Sequence, residues 1–205
     1  TLSQPAADLA AAGLFGDDVR LLPTVDMVGV TPTKILSASI AEVLPRCLPP
    51  SDNFLAESLF EMARAGGKSP ASWAAGIGLA PNDYSPVDGS GLSRKDAVTV
   101  NGIAHLLRYA ARRPWGGLFQ SSLARPGIGT LRNRLKGVEF AGKTGSLDGV
   151  SALSGYVGPI RATSLNGGRP VADYFIVAIV VNQFTGPVAR IHAIQDEFVR
   201  AATHL

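Results

Sequence analysis

Two short motifs contain the side chains of this sequence that are best suited to chemistry. Ser51-Asp52-Asn53 combines a hydroxyl with an amide, and Lys143-Thr144-Gly145-Ser146 combines an ammonium group with two hydroxyls. Besides an activated nucleophile, acyl transfer needs a proton path to the leaving amine, donors for the developing oxyanion and groups that hold the substrate. The two motifs contain side chains of the kinds that would meet the last three of these needs.

The first motif lies at the mouth of a predicted helix. Prolines crowd the segment from 32 to 50 and confine any preceding helix to about residues 34–44, so Ser51 follows a break in the chain. From Phe54 onward, apolar residues recur at helical spacing until Gly66-Gly67. An alternative is that Ser51 serves only as the N-cap of this helix.

The second motif lies on a predicted antiparallel sheet. Three β-type runs, at 138–146, 150–157 and 173–181, are joined by turn-rich stretches at 147–149 and 166–168. A last helix at about 188–202 has one apolar face that suits it to cover this sheet. The pattern predicts an α+β fold.

Other elements are predicted along the rest of the chain. A helix begins after Thr99 and ends at Arg112-Arg113-Pro114, and the sequence Asp88-Gly89-Ser90-Gly91 is typical of a turn. Nearer the beginning, we expect a short alanine-rich helix at 5–15 and a short strand at 19–22.

Composition excludes several classes of protein. Lys and Arg outnumber Asp and Glu by 19 to 16, and a net charge of +3 is too small to indicate nucleic acid or an anionic membrane as partner. With 46% hydrophobic and 17% charged residues among 205, we expect one large domain, and the longest apolar run, 174–181, is too short to span a bilayer. The single cysteine, Cys47, and three histidines without metal-ligand spacing predict neither a metal site nor a cofactor.

Four stretches, in this order along the chain, resemble the C-terminal half of D-alanyl-D-alanine carboxypeptidases/endopeptidases, the low-molecular-mass class C penicillin-binding proteins. These stretches are 51–57 (SDNFLAE), 88–94 (DGSGLSR), 129–132 (GTLR) and 142–157 (GKTGSLDGVSALSGYV). The resemblance implies a β-lactamase/transpeptidase-like fold, an antiparallel sheet sandwiched by helices. We expect residues 1–205 to form the C-terminal part of this catalytic domain, helical at about 34–113, with the sheet and last helix at about 138–203.

The same resemblance implies roles for individual residues. Ser51 would relay a proton to the leaving nitrogen, Asn53 would hydrogen-bond the substrate amide, and Lys143 would hold the Ser51 hydroxyl. The hydroxyls of Thr144 and Ser146 would meet the substrate carboxylate. Gly145 would let the substrate backbone approach closely, and the Ser146 N–H would form one side of the oxyanion hole.

The nucleophile is the point at which the sequence departs from the family. The family's nucleophilic serine precedes a lysine by three residues, and here only Lys34 has a hydroxyl residue at that spacing, Thr31. Thr31 lies only 20 residues before Ser51, whereas family members have large inserted domains between these positions. Because the chain also begins at Thr1 without a leader, we interpret it as a mature or internal segment whose serine comes from a missing N-terminal half or a companion chain.

The resemblance also implies partners and a location. The substrate would be a peptidoglycan stem peptide ending in D-Ala-D-Ala, and β-lactams would act as acylating inhibitors. The N-terminal half of the same enzyme would be the companion chain, since alone this piece would expose a sheet edge. Such enzymes work on the periplasmic or cell-wall side of the cytoplasmic membrane, which implies export.

Several alternatives remain open from the sequence. The chain could be an inactive peptidoglycan-binding or partner-docking remnant of this fold, or a relative of β-lactamases or esterases. Lys143 could be an ordinary edge-strand charge. The basic stretch 108–136 could be a solvated face or a contact for an anionic cell-wall polymer, and His105 and His192 are typical of surface or hydrogen-bonded residues.

Overall fold

A computed structural model describes residues 38–67, 69–159 and 174–204. The chain divides into two compact units, 1–39 and 40–205, and nearly all the described residues belong to the second. The predicted helix at 5–15, the strand at 19–22, Thr31 with Lys34, and the turn at 166–168 lie outside the described residues. That residues 1–205 form one catalytic domain stays a prediction.

Six α-helices are described in the second unit. They are α1 (Ile40–Cys47), α2 (Asn53–Ala65), α3 (Pro70–Gly76), α4 (Val100–Ala111), α5 (Gly116–Ser121) and α6 (Val188–Ala202), and a 3₁₀ turn covers Gly129–Leu131. The predicted helices after Phe54, after Thr99 and at 188–202 are confirmed. The sequence missed α3 and α5 because seven and six residues are too short to show a helical repeat.

The helix α1 corrects the expected boundary at residue 44. It continues through Pro45 to Cys47, and the Leu48 N–H still donates to the Leu44 carbonyl at 3.0 Å. A proline removes one N–H from the helical ladder, and here only two residues of helix follow it, so little of the helix is affected. The turn before Ser51 therefore starts from the end of a helix.

The main sheet has three antiparallel strands, β3 (Phe140–Leu147), β4 (Val150–Val157) and β5 (Phe175–Asn182), in the order β3-β4-β5. Lys143 lies opposite Ser154, which in turn lies opposite Ala178. The predicted meander is confirmed. Two short strands, β1 (Tyr84–Ser85) and β2 (Ala97–Val98), form a separate pair that the sequence did not predict.

Helices pack against both faces of the sheet. On one face, α6 contributes Val199 to a buried cluster with Phe140, Leu153 and Val177. On the other face, α4 contributes Leu107 and Ala111, which pack with Tyr156, whose hydroxyl donates to the Leu107 carbonyl at 2.7 Å. The α+β sandwich is confirmed, and it leaves β3 as an edge strand.

Candidate active site

Ser51 lies in a tight turn between α1 and α2. Its φ of 62° is in the left-handed region, which serine adopts only at a cost. The turn is closed by two hydrogen bonds, from the Ser51 N–H to the Leu48 carbonyl at 3.3 Å and from the Asp52 N–H to the Cys47 carbonyl at 2.9 Å. Backbone hydrogen bonds therefore close the turn without any contact of the Ser51 side chain.

Asp52, and not Ser51, caps the helix α2. The Asp52 carboxylate accepts a hydrogen bond from the Leu55 N–H at 2.9 Å, and the helix begins at Asn53. The N-cap alternative for Ser51 is therefore wrong. The Ser51 hydroxyl is left available for another partner.

That partner is Lys143 on β3. The Lys143 ammonium donates to Ser51 Oγ at 2.5 Å and to the carbonyl oxygen of Thr144 at 2.8 Å. Because the ammonium has only donors, the serine must accept here, and its own O–H proton remains free to point elsewhere. The structure thus brings together two residues that are 92 positions apart in the chain.

The surroundings of Lys143 disfavour its positive charge. Burial lowers the pKa of Lys143, and the neighbouring Cys47 opposes this effect. The pKa of the Cys47 thiol is raised by burial and by Asp52, while Lys143 acts in the opposite sense. Since Lys143 is only partly solvated, its charge acts strongly on any anion that enters the site.

Beyond Gly142, the outer edge of β3 is open among the described residues. The Gly142 N–H donates to the Ala124 carbonyl at 2.9 Å, on the side of β3 that faces away from β4. Backbone N–H groups alternate along a strand, so those of Thr144 and Ser146 point to the same outer side. Gly145 and Ser146 are exposed, and an extended peptide has room to pair with this edge.

A contact that the sequence did not predict connects β3 to the turn before Ser51. The Thr144 hydroxyl donates to Thr130 Oγ1 at 2.8 Å, and the Thr130 N–H donates to the Pro49 carbonyl at 3.0 Å. Gly129 has a φ of 61°, and a Cβ on it would lie 2.1 Å from the Pro49 oxygen. We call residues 129–130 the Gly-Thr clip, because they fix Pro49 relative to Thr144.

Asn53 and Ser146 are predicted site residues for which no side-chain contact with the other predicted site residues is described. Asn53 is the first residue of α2, and its exposed side chain makes no hydrogen bond to another described residue. One helical turn further, the Glu57 carboxylate accepts from the N–H groups of Gly89 and Ser90 at 2.7 and 3.1 Å. Sequence reasoning missed this role of Glu57, because its partners are backbone N–H groups of a distant loop and leave no side-chain pattern.

The loop held by Glu57 forms a wall beside this site. Asp88 accepts hydrogen bonds from the N–H groups of Gly91 and Ser93, so the predicted turn chemistry of residues 88–91 is confirmed. Burial raises the pKa of Asp88, but these N–H groups outweigh it and lower the pKa overall. At the end of the loop, Arg94 donates to the Asp148 carbonyl at 3.1 Å, which ties the loop to the β3-β4 turn.

The basic stretch 108–136 is not uniformly a solvated face. Arg134 pairs with Asp196 at 2.7 Å and also donates to Gln195 Oε1 at 3.0 Å, and Gln195 in turn donates to the fully buried Ser151. For Arg134, the prediction of a solvated charge is therefore wrong. Arg134 and Asp196 are both partly buried, and through the fully buried Gln195 and Ser151 this network joins β4 to α6.

The two helical histidines have hydrogen-bonded partners or neighbours. His105 Nε2 lies 2.8 Å from the Ile77 carbonyl, and the His192 carbonyl accepts from Arg134 at 3.3 Å. Burial and the charge of Arg134 lower the pKa of His192, while Asp196 opposes them. Across residues 38–67, 69–159 and 174–204, no three His, Cys, Asp or Glu side chains are grouped as a metal site would require. In the same residues, none of the helices has the length and apolarity to cross a bilayer.

Comparison with known proteins identifies the family to which this chain is similar. The family model described as "D-Ala-D-Ala carboxypeptidase 3 (S13) family" matches residues 8–177. A D-alanyl-D-alanine carboxypeptidase of an Actinomadura species is 33% identical over 178 residues, which cover 73% of this chain and 33% of that protein. Carboxypeptidase DacB of Mycolicibacterium smegmatis is 32% identical over 169 residues, which cover 72% of this chain and 37% of its own length. The chain thus spans about a third of the curated relatives it matches.

Solved structures show the same fold. Penicillin binding protein 4 (dacB) of Haemophilus influenzae matches with a TM-score of 0.61 at 24% identity, covering 78% of this chain and 39% of that one. The same protein complexed with a β-lactam matches with a TM-score of 0.57, covering 80% and 40%. The helix-sheet-helix sandwich with a penicillin-binding protein fold is thus established, and the chain belongs to the D-Ala-D-Ala carboxypeptidase 3 (S13) family.

Proposed function

We propose that this chain carries the proton-relay and carboxylate-binding half of a serine D-alanyl-D-alanine carboxypeptidase/endopeptidase site. The observation that carries the proposal is the 2.5 Å contact between the Lys143 ammonium and Ser51 Oγ, beside the open edge of β3. Membership of the family supports the activity. The substrate is a peptidoglycan stem peptide ending in D-Ala-D-Ala, and the enzyme works on the cell-wall side of the cytoplasmic membrane after export.

The proton path follows from the direction of the hydrogen bond between Lys143 and Ser51. A nucleophilic serine oxygen attacks the carbonyl carbon of the penultimate D-Ala, and the bond to the terminal amine breaks as an acyl-enzyme forms. The Ser51 O–H gives its proton to the leaving nitrogen, and the proton lost by the nucleophile restores Ser51. Lys143 orients Ser51 throughout, and the exposed Asn53 amide hydrogen-bonds the substrate backbone.

The substrate carboxylate and the oxyanion bind along β3. The Thr144 hydroxyl turns from Thr130 Oγ1 and, together with the Ser146 hydroxyl, donates to the terminal carboxylate, which the partly buried charge of Lys143 attracts. The outward N–H of Ser146 is one donor of the oxyanion hole. Gly145 has no side chain to obstruct an extended peptide on this edge. β-Lactams acylate the same site because they present a carboxylate and a strained amide in the same arrangement.

The nucleophile is supplied from outside this sequence. Of the serines and threonines in this sequence, only Thr31 precedes a lysine by three residues, whereas the family has a serine at that spacing from a lysine. The segment that provides the serine docks as the N-terminal half of the same enzyme, in the role of companion chain. The outer edge of β5, with which no described strand pairs, offers it a place.

Three features of the β5 edge support this docking. In the order β3-β4-β5, no further described strand pairs with β5. A groove of about 560 Å³ runs along the strand between α4 and α6. Large apolar side chains around it are exposed, with Phe175 at 48% and Phe198 at 57%. An unpaired strand edge flanked by apolar side chains is an unstable surface in water, and an added strand covers it.

Mass spectrometry of the intact polypeptides tests both the role of Ser51 and the external source of the nucleophile. The sample is incubated with a penicillin, denatured, and every polypeptide present is weighed. An adduct on a companion chain supports a two-part peptidase, and Ser51→Ala should then slow adduct formation by about 100-fold or more, whereas Ser121→Ala, on an exposed serine of α5, should not. An adduct on the 205-residue chain itself would overturn the external nucleophile and point to Thr31.

The alternative function is a peptidoglycan-binding remnant that keeps the open β3 edge but performs no chemistry. The lack of a Ser-x-x-Lys sequence in this chain favours it. It predicts no adduct even with the full-length product of the same gene, together with retained binding to a stem peptide. Separately, docking of a companion chain on β5 is refuted if the purified chain is monomeric, unfolds cooperatively and shows no exposed apolar surface.

A further inference from the structure

A concave pocket of about 370 Å³ lies at the C-terminal end of α4, and the proposed peptidase chemistry does not use it. Its lining is basic and aromatic, formed by Ile77, His105, Arg108, Tyr109, Arg112 and Arg113. Three arginines therefore line one hollow while remaining exposed to solvent, and no carboxylate is among these lining residues. A volume of this size is at the lower end of the range for small-ligand sites.

Three contacts hold basic side chains of the pocket in place. The Arg113 guanidinium stacks over the Tyr109 ring at 3.9 Å from the ring centre. The Ile77 carbonyl can only accept, so His105 Nε2 carries the proton in their 2.8 Å hydrogen bond. The Nδ1 atom of His105 is then the acceptor that faces Arg108 at 3.5 Å. These contacts partly order Arg108 and Arg113, and none of them involves an acidic side chain.

Helix stability explains only part of this arrangement. Cations at the C-terminal end of a helix interact favourably with its dipole, which accounts for one or two of the arginines. Like charges at i and i+4, as for Arg108 and Arg112, repel each other. The ion pairs seen in the described part of the chain are Arg64–Glu61 and Arg134–Asp196, and neither involves the pocket. These ion pairs therefore leave the repulsion among the three arginines uncompensated.

We propose that this pocket binds a phosphate group. Arginine forks match phosphate oxygens in bidentate geometry, and three positive charges suit the charge of about −1.5 to −2 on a phosphate monoester better than the single charge of a carboxylate. Tyr109 and Ile77 provide an apolar wall for the organic part of the ligand. The phosphate can come from a free phosphate monoester or from a phosphodiester polymer, which share this chemistry.

Calorimetric titration of the full 205-residue chain tests the site with two probes, inorganic phosphate and a poly(glycerol phosphate). The double variant Arg112→Gln/Arg113→Gln should weaken binding by about tenfold or more, because two charge-assisted contacts are lost. Arg190→Gln, the same kind of substitution at a single exposed position of α6 that does not line the pocket, should leave binding unchanged. Binding of both probes identifies a phosphate monoester site, and binding of the polymer alone identifies a phosphodiester site.

A second measurement needs no variant. Phosphate titrated into the unmodified chain should shift the NMR resonances of the His105 ring and of the Arg113 side chain, because both line the pocket. If neither probe binds, if the double variant binds as tightly as the original chain, or if Arg190→Gln weakens binding equally, the proposal is wrong. The penicillin adduct is a separate readout, so failure of the phosphate site leaves the peptidase proposal intact.

Discussion

Replacement of Gly129 by alanine should break the Gly-Thr clip. The new Cβ would lie 2.1 Å from the Pro49 oxygen, so one of the two backbones must move by about 1 Å to reach ordinary contact. That movement stretches the 3.0 Å hydrogen bond from the Thr130 N–H, at a cost of about 0.5–1.5 kcal/mol. The left-handed backbone at φ 61° adds about 1–2 kcal/mol for any residue with a Cβ. We expect a total destabilisation of about 2–3 kcal/mol.

Thermal unfolding followed by circular dichroism measures this cost. For a chain of this size, about 2–3 kcal/mol corresponds to a fall in Tm of about 5–10 °C. The matched control is Gly127→Ala, because Gly127 has a φ of 89° but a Cβ added there would have no neighbouring atom within 4 Å. The control therefore carries the backbone cost without the clash. Equal falls in Tm for the two variants would refute the contact with Pro49 as a rigid link between the turn before Ser51 and β3.

Three further predictions concern single side chains. Lys143→Met should slow penicillin acylation of the two-part enzyme by about 100-fold or more while changing Tm by less than about 4 °C, because it also removes a charge that burial disfavours. Burial and the charge of Arg134 lower the pKa of His192, so the folded chain binds fewer protons than the unfolded chain as the pH falls below 6.5. The stability of the folded chain should therefore fall as the pH drops below 6.5, and His192→Gln should reduce this fall in Tm. Tyr156→Phe should lower the free energy of unfolding, measured in urea, by about 1 kcal/mol, since the Leu107 carbonyl loses a buried donor.

The sequence predicted those parts of the fold that repeat along the chain. Apolar spacing located α2, α4 and α6, because burial of one helix face imposes a period on local sequence, and three β-type runs bounded by turn residues located β3, β4 and β5. The contact between Ser51 and Lys143 was expected from the resemblance to the family, and the catalytic roles of the two residues stay predictions. Short helices such as α3 have no period to detect.

The contacts that the sequence did not predict join residues that are far apart in the chain, and several of them involve backbone groups. The Gly-Thr clip acts through the Pro49 carbonyl, and Glu57 acts through the N–H groups of a loop, so neither contact leaves a side-chain pattern. Arg134 lies in a basic stretch, and only the folded chain places Asp196 beside it. Backbone acceptors and long-range ion pairs are invisible to periodicity because any residue can present a carbonyl.

The left-handed conformation of Ser51 has an evolutionary consequence. At a φ of 62°, glycine is the residue that the backbone itself prefers, so replacement of Ser51 by glycine would relieve about 1–2 kcal/mol of strain. Random substitution in a lineage freed from selection on the hydroxyl should therefore drift toward glycine, or toward asparagine, at this position. A serine retained there is held against the preference of its own turn, and homologous sequences that have lost the activity should be recognisable by its replacement.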